Sequence, residues 1–176
     1  MGTRMRRLMV LPALLLLTPA CNGNSSTTTA PPRLTTEIEA ELAAHLVIPY
    51  CTQSSKNVYV KEELESRFDE AYADRPMPPQ MRTAIEASCP DVHFVTDDEA
   101  AALWSDDHAV VDGGNGVIIT VGPTTWLADD VVAIEVGAVR GALDGGGHTQ
   151  QYRWTGTGWE ETDSEETGIT SMYWVA

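Results

Sequence analysis

Three cysteines, four histidines and 26 acidic residues are the groups in this 176-residue chain from which chemistry could be built. A reactive thiolate needs a lowered pKa, supplied by a nearby cation or a helix N-terminus. Cys51 follows Pro49-Tyr50 and Cys89 precedes Pro90, and neither has a basic neighbour in sequence. The acids gather at Asp97-Asp98-Glu99, at Asp106-Asp107-His108 with Asp112 and Asn115 beyond, and at Asp163 with Glu165-Glu166. Calcium takes about six to eight oxygen ligands, often from one short acidic loop. None of these clusters has the D-x-[DN]-x-[DN]-G spacing. Asp106, Asp107, His108 and Asp112 are the best set for a divalent cation, and solvated turns are the competing reading. Zinc would need His93, His108 and His148 to meet through folding, because there is no H-x-x-x-H or C-x-x-C pair. No G-x-S-x-G elbow is present for a serine nucleophile. "DGGNG" (112–116), "DGGG" (144–147) and "TGTG" (155–158) contain no basic residue and lead into strand-like runs, unlike a phosphate loop. No cofactor is expected and no catalytic residue is assigned.

The aromatic residues are a different resource. Tyr152, Trp154, Trp159, Tyr173 and Trp174 crowd the last 25 residues. Tyr152 and Trp154 fall on one face of a strand, and Trp159 falls across the TGTG reversal from Trp154. Cross-strand aromatic pairing is one account of this set. The other is an exposed platform for a glycan or peptide, made of Tyr152, Trp154 and Trp159, since Trp and Tyr join an apolar body to a polar handle.

These residues sit in a chain with marked ends. Arg4, Arg6 and Arg7 open it, Leu8 to Leu17 is an apolar run of ten, and Thr18-Pro19-Ala20 follows. A basic head, a short apolar middle and a small-residue exit describe an export signal. Ten residues fall short of the roughly 20 that span a bilayer. Leu17-Thr18-Pro19-Ala20-Cys21 resembles the lipobox of bacterial lipoproteins, although Thr18 stands where that motif prefers a large aliphatic residue and Pro19 is uncommon beside the cut. The resemblance implies cleavage before Cys21 and a diacylglyceryl group on its sulfur. The alternative is ordinary release after Ala20 and a secreted chain: the anchored chain reads as a non-enzymatic binding or accessory module, the released one as a hydrolase or metal-dependent enzyme. Arg6-Arg7 leaves the twin-arginine route open beside the general one. The Thr/Ser/Pro stretch up to Arg33, with nine arginines against two lysines, also resembles small lipoproteins of high-GC Gram-positive bacteria. An odd cysteine in an exported chain needs a use. With the lipid on Cys21, Cys51 and Cys89 are expected to form a disulfide.

Loss of residues 1–20 removes three arginines and no acid, taking the formal charge from −15 to −18. That balance excludes nucleic acid, whose binding rests on Lys and Arg at phosphates. It also opposes a domain lying flat on anionic lipid. The expected partners are the membrane, through the lipid, and a cell-wall glycan or a protein. The expected location is the outer face of a plasma membrane.

The remaining chain, 34–176, reads as one α+β domain, with N-terminal helical segments packed on a C-terminal antiparallel β-meander. Thr36-x-x-Glu39 is a capping box, followed by Ile38, Leu42 and Leu46 on one helical face, beside which His45 is a boundary residue; Pro49 ends this helix. A second helix is expected over Lys61–Ala73 from Leu64, Phe68 and Ala71 or Tyr72. A third begins at Pro78-Pro79 and carries Met81 and Ile85. Asp91–Val95 reads as a strand, and Thr96-Asp97-Asp98-Glu99 as another capping box. Beyond Ala109, short valine- and isoleucine-rich runs separated by glycine clusters predict strands joined by tight reversals, too closely spaced for parallel crossovers.

Overall fold

The computed structural model describes residues 30–31, 33–53, 56–66, 75–104 and 109–175. Cys21, the leader, Phe68, Ala71, Tyr72, Asp106, Asp107 and His108 lie outside them. The elements in order are α1 (Thr36–Gln53), β1 (Asn57–Lys61), β2 (Glu63–Leu64), β3 (Arg75–Pro76), α2 (Pro79–Ser88), β4 (His93–Val95), α3 (Asp97–Ala102), β5 (Gly116–Ala128), β6 (Val131–Gly141), β7 (Asp144–Trp154), β8 (Trp159–Thr162), α4 (Ser164–Thr167) and β9 (Tyr173–Val175). The class is α+β, dominated by a seven-stranded sheet in the order β4-β1-β5-β6-β7-β8, with β9 also on β7.

From β5 onwards the sheet is antiparallel, as short connections require. β1 departs from the expected pattern: it pairs parallel with both β4 and β5. The chain between β1 and β4 is long enough to include α2, so a crossover is possible there, and the sheet is mixed. The helix expected from Lys61 does not begin there. Lys61 closes β1, and Glu63–Leu64 pairs with Arg75–Pro76. Val58 and Val60 are buried in a strand with neighbours on both sides, and that pairing takes Lys61 into β1; residues 67–73 of the expected helix lie outside the described residues.

α1 begins at Thr36, one residue earlier than a Thr36 cap would place it. The capping oxygen is Thr35 Oγ1, which accepts from the Ile38 N–H at 3.4 Å. The helix also runs through Pro49 to Gln53, so the proline does not end it. Pro49 removes one i→i−4 donor. The turn beyond it is held by the Cys51–Cys89 disulfide, with Cα atoms 5.8 Å apart. α2 starts as expected, with Pro78 at the cap and Pro79 in its first turn, and buries Met81 and Ile85. The Thr96 box is complete: the Glu99 N–H donates to Thr96 Oγ1, and the Thr96 N–H donates to the Glu99 carboxylate at 2.9 Å.

One buried cluster joins Ala43 and Val47 of α1, Ile85 of α2, Val60, Val117, Ile119 and Val121 of β1 and β5, and Ile134 and Tyr152 of β6 and β7. A smaller one on the other face joins Val95, Ala100, Val111 and Ile118. The TGTG segment is a reversal, with Gly156 at φ 97° and the Thr155 N–H donating to the Gly158 carbonyl. DGGG is not: Asp144–Gly147 lie inside β7, and the turn is at 142–143. A Cβ on Gly147 would sit 2.5 Å from the Val136 carbonyl oxygen and inside the Trp174 indole, and one on Gly137 would also meet that ring. Those glycines clear a bed for Trp174, and this close approach replaces the expected turn.

Candidate functional site: a tryptophan-walled groove

At the end of the sheet bounded by the β5–β6 and β7–β8 turns, three tryptophans meet. Trp154 and Trp159 are directly paired across β7 and β8. Their ring centroids are 5.6 Å apart, and Trp126 of β5 stands edge-on to Trp159 at 5.7 Å. The strands place Tyr152 and Trp154 on the same face, two residues apart, and Tyr152 is deeper. At 2% exposure it is core, not part of an exposed platform as the sequence suggested. Burial, with the Glu161 charge adding to it, pushes its phenol well above the ordinary range.

Trp154 and Trp159 instead form one wall of a groove of about 680 Å³, with Thr157 and Gly158 of the reversal beside them. The opposite wall is Ile38, Leu42 and Ile48 of α1 with Ala84 and Ala87 of α2, and Glu41, His45 and Ser88 are placed on its rim. His45, expected at the helix boundary, is exposed there. The indole N–H of Trp159 is buried and has no hydrogen-bond partner among the described residues. A buried donor without an acceptor carries a desolvation cost of roughly 1–3 kcal/mol. The surface is therefore apolar with a few convergent polar groups, the usual make-up of a small-molecule site. Trp126 was not anticipated, because nothing in its local sequence ties it to Trp159; only the register of β5 to β8 brings them together.

The acidic clusters have other partners. Asp112 accepts from Asn57 Nδ2 at 2.7 Å and from the Tyr59 hydroxyl at 3.1 Å, and takes a positive φ of 48° that opens the DGGNG turn. Its expected companions Asp106, Asp107 and His108 are outside the described residues. Asp163 caps α4, accepting from the Glu165 and Glu166 N–H groups, while Glu166 accepts from Thr162 Oγ1 at 2.7 Å. Among the described residues no group of three or more His, Cys, Asp or Glu side chains is arranged to hold a metal. His93 stacks on Tyr59, whereas His148 lies against Gln150 in a polar cleft of about 420 Å³ beside β8 and β9, so these two histidines have separate surroundings. A further polar cluster, not foreseen, has Lys61 bridging the carboxylates of Glu65 and Asp97. Burial alone would lower its pKa, but the bonds to Asp97 and Glu65 outweigh that and raise it.

The Cys51–Cys89 bond is the pairing expected from the cysteine count, and such bonds persist in oxidising, extracellular or periplasmic surroundings. No helix among the described residues is long and apolar enough to cross a membrane. No family model, curated protein or solved structure matches this chain.

Proposed function

We propose that this chain is an extracytoplasmic binding module, anchored through a lipid on Cys21 to the outer face of a bacterial plasma membrane, which takes a cell-wall glycan segment in the tryptophan-walled groove. The lipobox-like LTPAC sequence and the Thr/Ser/Pro stretch after it support the anchor. The disulfide supports the compartment. The observation that carries the ligand class is the pair of indoles, Trp154 and Trp159, side by side in the wall of a groove lined otherwise mainly by aliphatic residues. A sugar ring offers the complement of such a wall, an apolar C–H face for the indoles. Glu41, His45, Ser88 and Thr157 give its hydroxyls further partners at the rim. In this reading the helical half of the domain supplies the second wall.

The test is a titration of the full chain with soluble cell-wall glycan fragments, followed by tryptophan emission. The expected result is a saturable change in wild type. Trp159→Leu keeps an apolar side chain but not the indole face, and should weaken binding by about 1 kcal/mol, a factor of about five. No emission change with any fragment would sink the glycan reading. A saturable change with apolar peptides alone would assign the groove to a protein partner.

A further inference from the structure

A second surface adjoins this groove. The β5–β6 hairpin ends in Trp126 and Leu127, which are 44% and 36% exposed and rank among the large apolar residues left uncovered. They line a shallow surface hollow with Ala128, Asp129, Pro31 and Arg33. The last two come from the segment that joins the domain to Cys21. The polypeptide therefore enters the domain against the tip of this hairpin.

Pro31 is ten residues beyond Cys21. A flexible chain of that length spans about 17 Å on average, and about 35 Å at full extension. If Cys21 carries the anchor, the hairpin tip is the part of the domain kept nearest the bilayer. Its side chains suit the headgroup zone. Tryptophan concentrates at that depth, where an apolar ring and a polar N–H are both accommodated. Arg33 and Asp129 on the same hollow balance each other in charge, within a chain of net −15. Asp130, next in the turn, lies 3.7 Å from Arg153. The acids at the turn oppose insertion into hydrocarbon and leave shallow contact as the favoured depth.

We infer that the β5–β6 hairpin tip, through Trp126 and Leu127, rests in the headgroup zone of the membrane that holds the chain's own lipid anchor. This rests on the anchored reading given above. It also fixes orientation: Trp126 touches Trp159 of the groove, so the groove would open close to the membrane surface.

The experiment uses the full-length protein purified from membranes, with its intact mass recorded, reconstituted in phosphatidylcholine vesicles. A matched set of vesicles carries bromine on the acyl chains near the headgroup, which quenches tryptophan on contact. The chain has five tryptophans. The expected result is that brominated lipid removes up to the share of emission that one of them supplies, and that Trp126→Phe abolishes this loss while still floating with the vesicles. Flotation of the wild type without quenching would overturn the inference and leave the anchor standing. Quenching that persists in Trp126→Phe would overturn it too, by giving the contact to another tryptophan. A bare polypeptide mass with no flotation would remove the anchor and the inference together.

Discussion

Glu37 and Glu99 each lie in the first turn of a helix capped by a threonine, and their carboxylates are held by the hydrogen bonds of those caps. Backbone bonding first, and the threonine hydroxyl second, lower both pKa values below 4.5. A carboxyl whose folded pKa is depressed adds stability above its unfolded value, and that stability is lost as pH falls through the folded one. Glu39 acts in the opposite sense, because burial raises its pKa, so acid relieves part of the strain it imposes. Urea midpoints of wild type should therefore fall between about pH 5 and pH 3, and Glu99→Gln should show a shallower fall over the same window. An unchanged slope in the variant would show that the Glu99 cap has no net electrostatic role. The Thr96 box was legible because all its partners lie within four residues. Thr35 was missed in favour of Thr36 because adjacent threonines offer the same oxygen, and only the path of the chain into α1 selects between them. Gly145–Gly147 suggest a turn by composition because glycine has two uses, and the one realised here depends on Trp174, nearly 30 residues away.

At the scale of elements, α1 and α2 are joined by one covalent clip between helix ends. Cys51 lies in the turn beyond Pro49, and Cys89 caps α2. The sequence separation is 38 residues, and closing such a loop contributes roughly 4 kcal/mol in the chain-entropy model. That is a large part of the stability of a typical domain, about 5–15 kcal/mol. Replacement of both cysteines by serine is expected to lower the urea-derived stability by about this amount, and to loosen the α1–α2 wall of the groove. Hydrogen exchange should then rise first in residues 50–53, where proline has already removed one helical bond. A loss confined to well under 1 kcal/mol would place the clip outside the cooperative unit. The pairing could be read from the cysteine count, and the strand runs after Ala109 from their composition. The parallel pairing of β1 could not, since five residues carry no sign of their partners' direction. The expected helix does not start at Lys61 for the same reason: periodicity in a short segment is weak against a strand slot open on both sides, which takes Lys61 into β1.

The molecule as a whole carries a formal charge of −15, or −18 without its leader, and in the proposed arrangement it hangs within a few tens of ångströms of a bilayer. Two forces then compete over the position of the hairpin tip. Trp126 and Leu127 favour the headgroup zone by an amount that scales with the apolar area withdrawn from water. Repulsion between the acidic domain and anionic lipid opposes it and decays over about 10 Å at 0.1 M salt. Contact is therefore expected to depend on lipid composition and ionic strength, whereas attachment through a lipid on Cys21 is not. In vesicles with anionic phosphatidylglycerol at low salt, quenching of Trp126 by brominated lipid should fall while flotation stays complete. Raising the salt towards 1 M, where the screening length is about 3 Å, should restore the quenching. Quenching that stays insensitive to both would mean that the tip is held by contacts stronger than two apolar side chains supply. Quenching that increases with anionic lipid would point to Arg33 binding the headgroups against the charge of the rest of the domain. Because Trp126 packs on Trp159, the same change in charge would alter how openly the groove faces the membrane. Glycan affinity measured on vesicles should then follow Trp126 contact, and affinity measured in detergent should not.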